Sequence, residues 1–144
     1  MSKDEGLPAS WRDLEQFAFG DTSEMADELL ALVVAGTKTA TCSALSAYGA
    51  KGEPIDEVGK RGIVLDGHGR PACVIETCEV AIKRFDEVDA AFAYDEGEGD
   101  RSLAYWRSEH ERFFRKYDVF SEDMLLVCER FRLIEILARE EELR

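Results

Sequence analysis

Basic residues are scarce in this chain: 18 lysines and arginines stand against 31 aspartates and glutamates, a formal net charge of −13. That deficit excludes an extended nucleic-acid surface, because non-specific affinity for a phosphate backbone comes from cations that release counterions. Any nucleic-acid site is expected to be a small pocket. No apolar run approaches the ~20 residues that span a bilayer, and the N-terminus lacks the basic-then-apolar order of an export signal. A cytoplasmic protein without membrane contact is therefore expected. Cys42, Cys73, Cys78 and Cys128 never fall at the two-residue spacing of a zinc knuckle or redox pair, so buried reduced thiols are predicted. Internal repeats and low-complexity stretches are also missing. Apolar content of 45% in 144 residues suits one domain over 1–144, with loose ends at about 1–8 and 138–144.

What the sequence does contain is a lysine corner. Met25, Leu29, Leu32 and Val33 recur at helical spacing behind N-cap candidates Asp21 to Ser23, and Gly36 falls where a left-handed C-terminal cap is usual. The chain then enters Thr39-Ala40-Thr41-Cys42, which reads as a short strand. Lys38 is thus held at a turn with Thr41 three residues on. A P-loop is excluded, since its Lys-Ser/Thr pair opens a helix and this one follows a helix. Two readings stay open from local chemistry: a lysine that complements the helix's negative end, and a lysine beside a hydroxyl that does chemistry.

Further along, Trp11 to Phe19 reads as a short helix, Gly52 to Gly59 as loop, and Ile63 to Leu65 as a strand. Asp66-Gly67-His68-Gly69 is a hairpin turn. Pro71 to Arg84 is predicted as a long, bent or bulged strand in which Glu76 interrupts an apolar face, so it is either turned to solvent at a bulge or buried with a cation such as Lys38. Asp86 to Asp100 carries seven acids and no base. Ser102 to Tyr117 is a helix with Leu103, Trp106, His110, Phe113, Phe114 and Tyr117 on one side, and Met124 to Leu137 is a closing strand. The fold class is α+β: a mostly antiparallel sheet, suited to a small β-barrel flanked by helices.

Gly36-x-Lys38-x-x-Thr41 after a helix resembles the signature of the ASCH domain, a relative of the PUA RNA-binding domain. Phe19-Gly20-Asp21, Ala26-Asp27-Glu28-Leu29, Glu96-Gly97-Glu98-Gly99-Asp100 and Ser102-Leu103-x-Tyr105-Trp106-Arg107-x-x-His110-x-x-Phe113-Phe114 extend the resemblance to a longer bacterial subfamily, from about Trp11 to Leu137. It implies a PUA-like β-barrel and a cleft near the lysine that takes single-stranded RNA or a modified nucleoside. One line of the family cleaves single-stranded RNA with help from a divalent metal ion. Another hydrolyses N4-acetylcytidine with a lysine, a threonine and a glutamate.

A ribonuclease is the leading expectation, a nucleoside amidohydrolase the alternative, and a non-catalytic RNA-binding module the third. Lys38, Thr41 and Glu76 are the candidate catalytic residues, with Glu79 second to Glu76. Thr39, Tyr48, Arg107 and His110 are candidate substrate contacts: Tyr48 by stacking, Arg107 through its planar fork. Arg130 and Arg132 are weaker ones. Glu96, Glu98 and Asp100 offer oxygen ligands for a divalent metal ion. For His110, a core histidine bonded to backbone competes with a catalytic acid or base.

Overall fold

The computed structural model describes residues 11–49 and 55–137. The loose ends expected at 1–8 and 138–144, and Pro54 of the expected loop, lie outside them. The elements run β1 (Glu15–Phe17), α1 (Ser23–Val34), β2 (Ala40–Ala44), α2 (Ser46–Gly49), β3 (Arg61–Leu65), β4 (Pro71–Arg84), a 3-10 turn (Phe85–Glu87), α3 (Ala90–Glu96), α4 (Leu103–Lys116) and β5 (Leu125–Ile136). The strands form one mixed sheet in the order β1-β3-β4-β5-β2, curled into a half-barrel, with the β1–β3 pair parallel and the other pairs antiparallel.

Local chemistry accounts for the helices. The Met25 N–H donates to Thr22 Oγ1, the Phe92 N–H to Asp89 Oδ1, and the Tyr105 N–H to Ser102 Oγ, so α1, α3 and α4 each start on a side-chain cap. Gly36 (φ +82°) ends the turn after α1, and Gly97 (φ +75°) is the left-handed cap of α3. The hairpin turn at Asp66 to Gly69 is present, closed by the Gly69 N–H to Asp66 O bond. As the sequence suggested, β4 is irregular: its register against β5 shifts between Val74 and Ile75 and between Thr77 and Glu79.

One expectation fails. The segment Trp11 to Phe19 is not a helix, and its middle is β1. Phe17 lies against Gly62 so closely that a Cβ there would sit 2.9 Å from its ring, and the parallel pairing with β3 that this permits outweighs a short helical pattern.

The sheet is covered on both faces. Leu29, Leu30 and Val33 of α1 pack with Phe19, Val64, Cys73, Ile75 and Phe131. Phe92, Trp106 and Phe114 of α3 and α4 pack with Ala40, Ala44, Leu126 and Cys128 on the other side. All four cysteines are free thiols; Cys73 and Cys128 are buried as expected, Cys42 is half-buried, and Cys78 is exposed because the β4 bulge turns it outward.

The left-handed glycines differ in surroundings. A Cβ on Gly97 would lie 2.5 Å from the Thr37 carbonyl oxygen, whereas one on Gly69 (φ +76°) would meet nothing within 4 Å. Gly69→Ala should therefore cost about 1–2 kcal/mol from backbone strain alone. Gly97→Ala should cost measurably more in urea denaturation, because backbone must move; equal losses would refute the close approach.

Candidate functional site

The corner after α1 is built against the end of α3. The Thr39 N–H donates to Asp95 O (2.7 Å), and the Arg101 guanidinium donates to Tyr94 O (3.0 Å) and Thr37 O (3.4 Å). This docking carries Lys38 into the interior, where the residue is 2% exposed. Its ammonium donates to Glu98 Oε2 (3.0 Å), Ala40 O (3.0 Å), Glu96 Oε1 (3.1 Å) and Glu96 O (3.4 Å), and lies 5.4 Å from the centre of the Phe19 ring. Burial pushes the lysine pKa down, but Glu96 and then Glu98 outweigh it and hold it above the ordinary value. Lys38 is a locked ammonium.

Glu96 is equally buried. Its second oxygen accepts from Trp106 Nε1 (2.7 Å) and lies 3.4 Å from His110 Nε2. Burial raises its pKa, yet Lys38, His110 and Trp106 bring the net shift below the usual carboxylate value. His110 Nδ1 is 2.9 Å from the Trp106 carbonyl, which can only accept, so Nδ1 carries a proton and Nε2 faces Glu96. Trp106 and His110 stack at 4.2 Å. The thiol of Cys42 is pushed well up by burial and by Glu96, and it stays protonated.

These groups wall a cleft of about 1130 Å³ between α1 and α4, over β2 and β5. Lys38, Thr41, Tyr48, His110, Glu96 and Glu98 line it, along with Ser43, Thr77, Phe113 and Glu129. Sequence reasoning missed Glu129. It is 5% exposed, Thr77 Oγ1 donates to its Oε1 (3.4 Å), and burial followed by the nearby Asp56 carboxyl pushes its pKa up to about 7. The signal was available, since Glu129 interrupts an apolar strand face much as Glu76 does.

Other expected residues lie elsewhere. Glu76 does not hold Lys38; it accepts from Arg61 Nε (2.8 Å) and from Arg132 Nε (3.0 Å) and Nη2 (2.6 Å), and it does not line the cleft. The two arginines reach it across β3 and β5, leaving the buried cation to the α3 end. Glu79 pairs with Arg130, which also binds Asp95. Arg107 sits on the solvent side of α4, outside the cleft, because Trp106 and Phe114 take the inward positions. Thr39 is not among the residues lining the cleft, and its hydroxyl donates to Asp95 O (3.4 Å).

The acidic run does not assemble as a metal cage either. Glu96 Oε1 and Glu98 Oε2 accept from the Lys38 ammonium, and Asp100 accepts from the Ser102 N–H (2.9 Å) ahead of α4. Among the described residues, Cys42, Glu96 and His110 are the group with metal-capable atoms within 4.8 Å of one another. Glu96 there is already committed to Lys38 and Trp106, and an ammonium 3.1 Å from its carboxylate opposes a second cation.

A curled α+β half-barrel whose cleft is built around a lysine after the first helix defines a PUA-like domain. The chain belongs to the ASCH domain family, which matches residues 15–135. ASCH domains are generally RNA-binding. A solved structure of a protein from Enterococcus faecalis V583 is similar at 40% identity (TM-score 0.80, covering 89% of this chain and 80% of that one). An ASCH domain from Lactobacillus crispatus JV V101 is similar at 34% identity (TM-score 0.79, covering 88% and 82%). No curated protein matches the chain. Among the described residues, no helix is long and apolar enough to cross a membrane.

Two measurements test this electrostatic picture. Lys38→Met leaves Glu96 buried without its ammonium and should cost about 3–5 kcal/mol, seen as a large fall in Tm; a Tm within a degree or two of wild type would show that the pair carries no stability. Glu129 has a folded pKa raised above its unfolded value near 4.5, so the folded state binds the proton more tightly and stability falls as pH rises from about 4.5 through about 7. Glu129→Gln should then gain Tm over wild type at pH 8 and gain little at pH 4, whereas a pH-independent difference would refute the shift.

Proposed function

We propose that the protein is a hydrolase for the acyl amide of an uncharged modified nucleoside, N4-acetylcytidine being the simplest such substrate. The observation that carries this reading is the charge of the cleft. Eight carboxylate side chains line it against five lysines and arginines. Each of those cations is already paired: Lys38 with Glu96 and Glu98, Lys60 with Glu15 and Asp56, Arg61 with Glu76, Arg112 with Glu109, and Lys116 with Asp21. A strand of phosphates would enter against a surplus of negative charge, while a neutral nucleoside would not. This weighs against the ribonuclease reading. Tyr48, Phe113 and Tyr105 give the same cleft aromatic surface for a base.

In this reading Thr41 supplies the attacking hydroxyl, and Lys38 acts through its fixed charge. An ammonium with four oxygen acceptors and a raised pKa is a poor base. It is suited to stabilising the negative charge that develops on the acyl oxygen. Glu96 keeps it charged and in place, with Trp106 and His110 fixing Glu96 from behind.

The test is acetate release from N4-acetylcytidine by the purified chain, run beside a labelled single-stranded RNA. Acetate should appear, Thr41→Val should slow it by at least ~100-fold, and KM should change little between about 50 and 200 mM salt. Cleavage of the RNA by the wild type without any acetate release would overturn the reading in favour of the ribonuclease.

A further inference from the structure

If Lys38 is locked as a cation, the proton of the Thr41 hydroxyl needs another acceptor. Glu96 is an unpromising one, because its oxygens are bonded to Lys38 and Trp106 and its pKa is lowered. His110 Nε2 faces Glu96, not open cleft. Cys42 holds its proton tightly. The remaining acid of interest is on β5.

Thr41 and Glu129 are direct partners in the antiparallel β2–β5 ladder. Opposed residues in such a pair project to the same face, with Cβ atoms about 4.5–5.5 Å apart. Both side chains line the cleft. Among the described residues, the Thr41 hydroxyl has no hydrogen-bond partner and so is open to one that arrives with the substrate. Glu129 is surrounded on its other sides. The Thr77 hydroxyl bonds it from β4, and the Asp56 carboxyl, in the segment before β3, lines the same cleft and helps raise its pKa. Lys60 Nζ holds Asp56 Oδ1 at 2.6 Å. The charged and titratable groups facing Glu129 are thus Asp56 and Lys60 from that segment and Tyr48 from α2, while β2 and β4 contribute the hydroxyls of Thr41 and Thr77. Burial and a second acid nearby both disfavour the Glu129 carboxylate, so this one carboxyl can accept and return a proton near neutrality.

We infer that Glu129 is the catalytic residue that takes the proton from Thr41 and returns it to the leaving nitrogen, with Asp56 as its positioning partner. The inference rests on the acyl-transfer reading above and adds its base. In the first half, Thr41 Oγ bonds to the acyl carbon as its proton passes to the Glu129 carboxylate. The C–N bond then breaks, and that proton goes to the departing amine. In the second half, water adds to the acyl carbon and gives its proton to Glu129; the Oγ–C bond breaks and the proton returns to Oγ. One amide and one water become one acid and one amine. A base whose pKa lies close to the working pH is the most effective for such transfers, and the carboxyl at about 7 meets that condition.

The experiment uses p-nitrophenyl acetate, an activated ester that tests Thr41 without any nucleoside. The 144-residue chain is exposed to it from pH 5 to 9, and acetyl-Thr41 is followed by peptide mass mapping. Wild type should be acetylated at Thr41 with a rate that rises through pH 7. Glu129→Gln should be at least tenfold slower and lose that rise, and Thr41→Val should give no adduct there. Asp56→Asn removes a neighbour that raises the Glu129 pKa, so its midpoint should move to lower pH. This shift is a readout that a purely structural role would not produce, and it remains available if Glu129→Gln fails to fold. An unchanged rate and profile in Glu129→Gln, or an unmodified Thr41 in wild type, overturns the inference. If the ester result holds while N4-acetylcytidine is untouched, the base assignment stands and the substrate reading falls; the reverse pattern separates them the other way.

Discussion

The interior of this protein is organised around one buried ammonium. Removing Lys38 and its carboxylates from water costs several kcal/mol per ion, so the arrangement persists only because the ammonium's hydrogens all find oxygen acceptors. Much of the surrounding architecture serves that condition. The left-handed Gly97 lets the end of α3 approach the Thr37 carbonyl, and Arg101 clips the two segments together. Trp106 and His110, stacked on α4, present an indole N–H and an imidazole to the far oxygen of Glu96. Helices α3 and α4 are thereby tied to the corner after α1 by charge as well as by the apolar cluster beneath them.

The same cation, once locked, constrains the chemistry. A lysine held between two carboxylates gives up basicity and gains a fixed position, which favours electrostatic work over proton transfer. The cleft then contains two carboxylate environments pushed in opposite directions: Glu96 downward beside a cation, Glu129 upward by burial and then by a nearby acid. Such divergence between two acids lining one cleft is a physical basis for dividing acid–base labour.

Local pattern carried far in the sequence, and pairing across distance did not. The periodicity of α1 and α4, the hairpin at Asp66, the bulged β4 and the lysine corner all rest on neighbours within a few residues, and each appears in the structure. Glu76 and Glu96 show the limit. Both were visible as unusual acids, but which one faces Lys38 depends on how α3 docks, and no spacing rule contains that. In the sequence Glu96 offers oxygens for a metal ion; in the structure the cation it meets is an ammonium. Glu129 is masked by Met124 to Cys128, which reads as a plain apolar run, although alternation places it on the face of Val127 and Phe131. Asp56 precedes β3, and no local pattern in the sequence places it beside β5.

The separations within the lysine cluster have a consequence for how the chain acquires its shape. Lys38 meets Glu96 and Glu98 across 58 and 60 residues. Closing such a loop costs entropy before any contact repays it, and an ammonium stripped of water without its acids would be strongly unfavourable. The helices and the β3–β4 hairpin can form from local contacts first, but the corner after α1 cannot settle until α3 has been placed against it. A dry, fully paired Lys38 is therefore something that only the assembled topology can supply, and no isolated element of the chain could hold it.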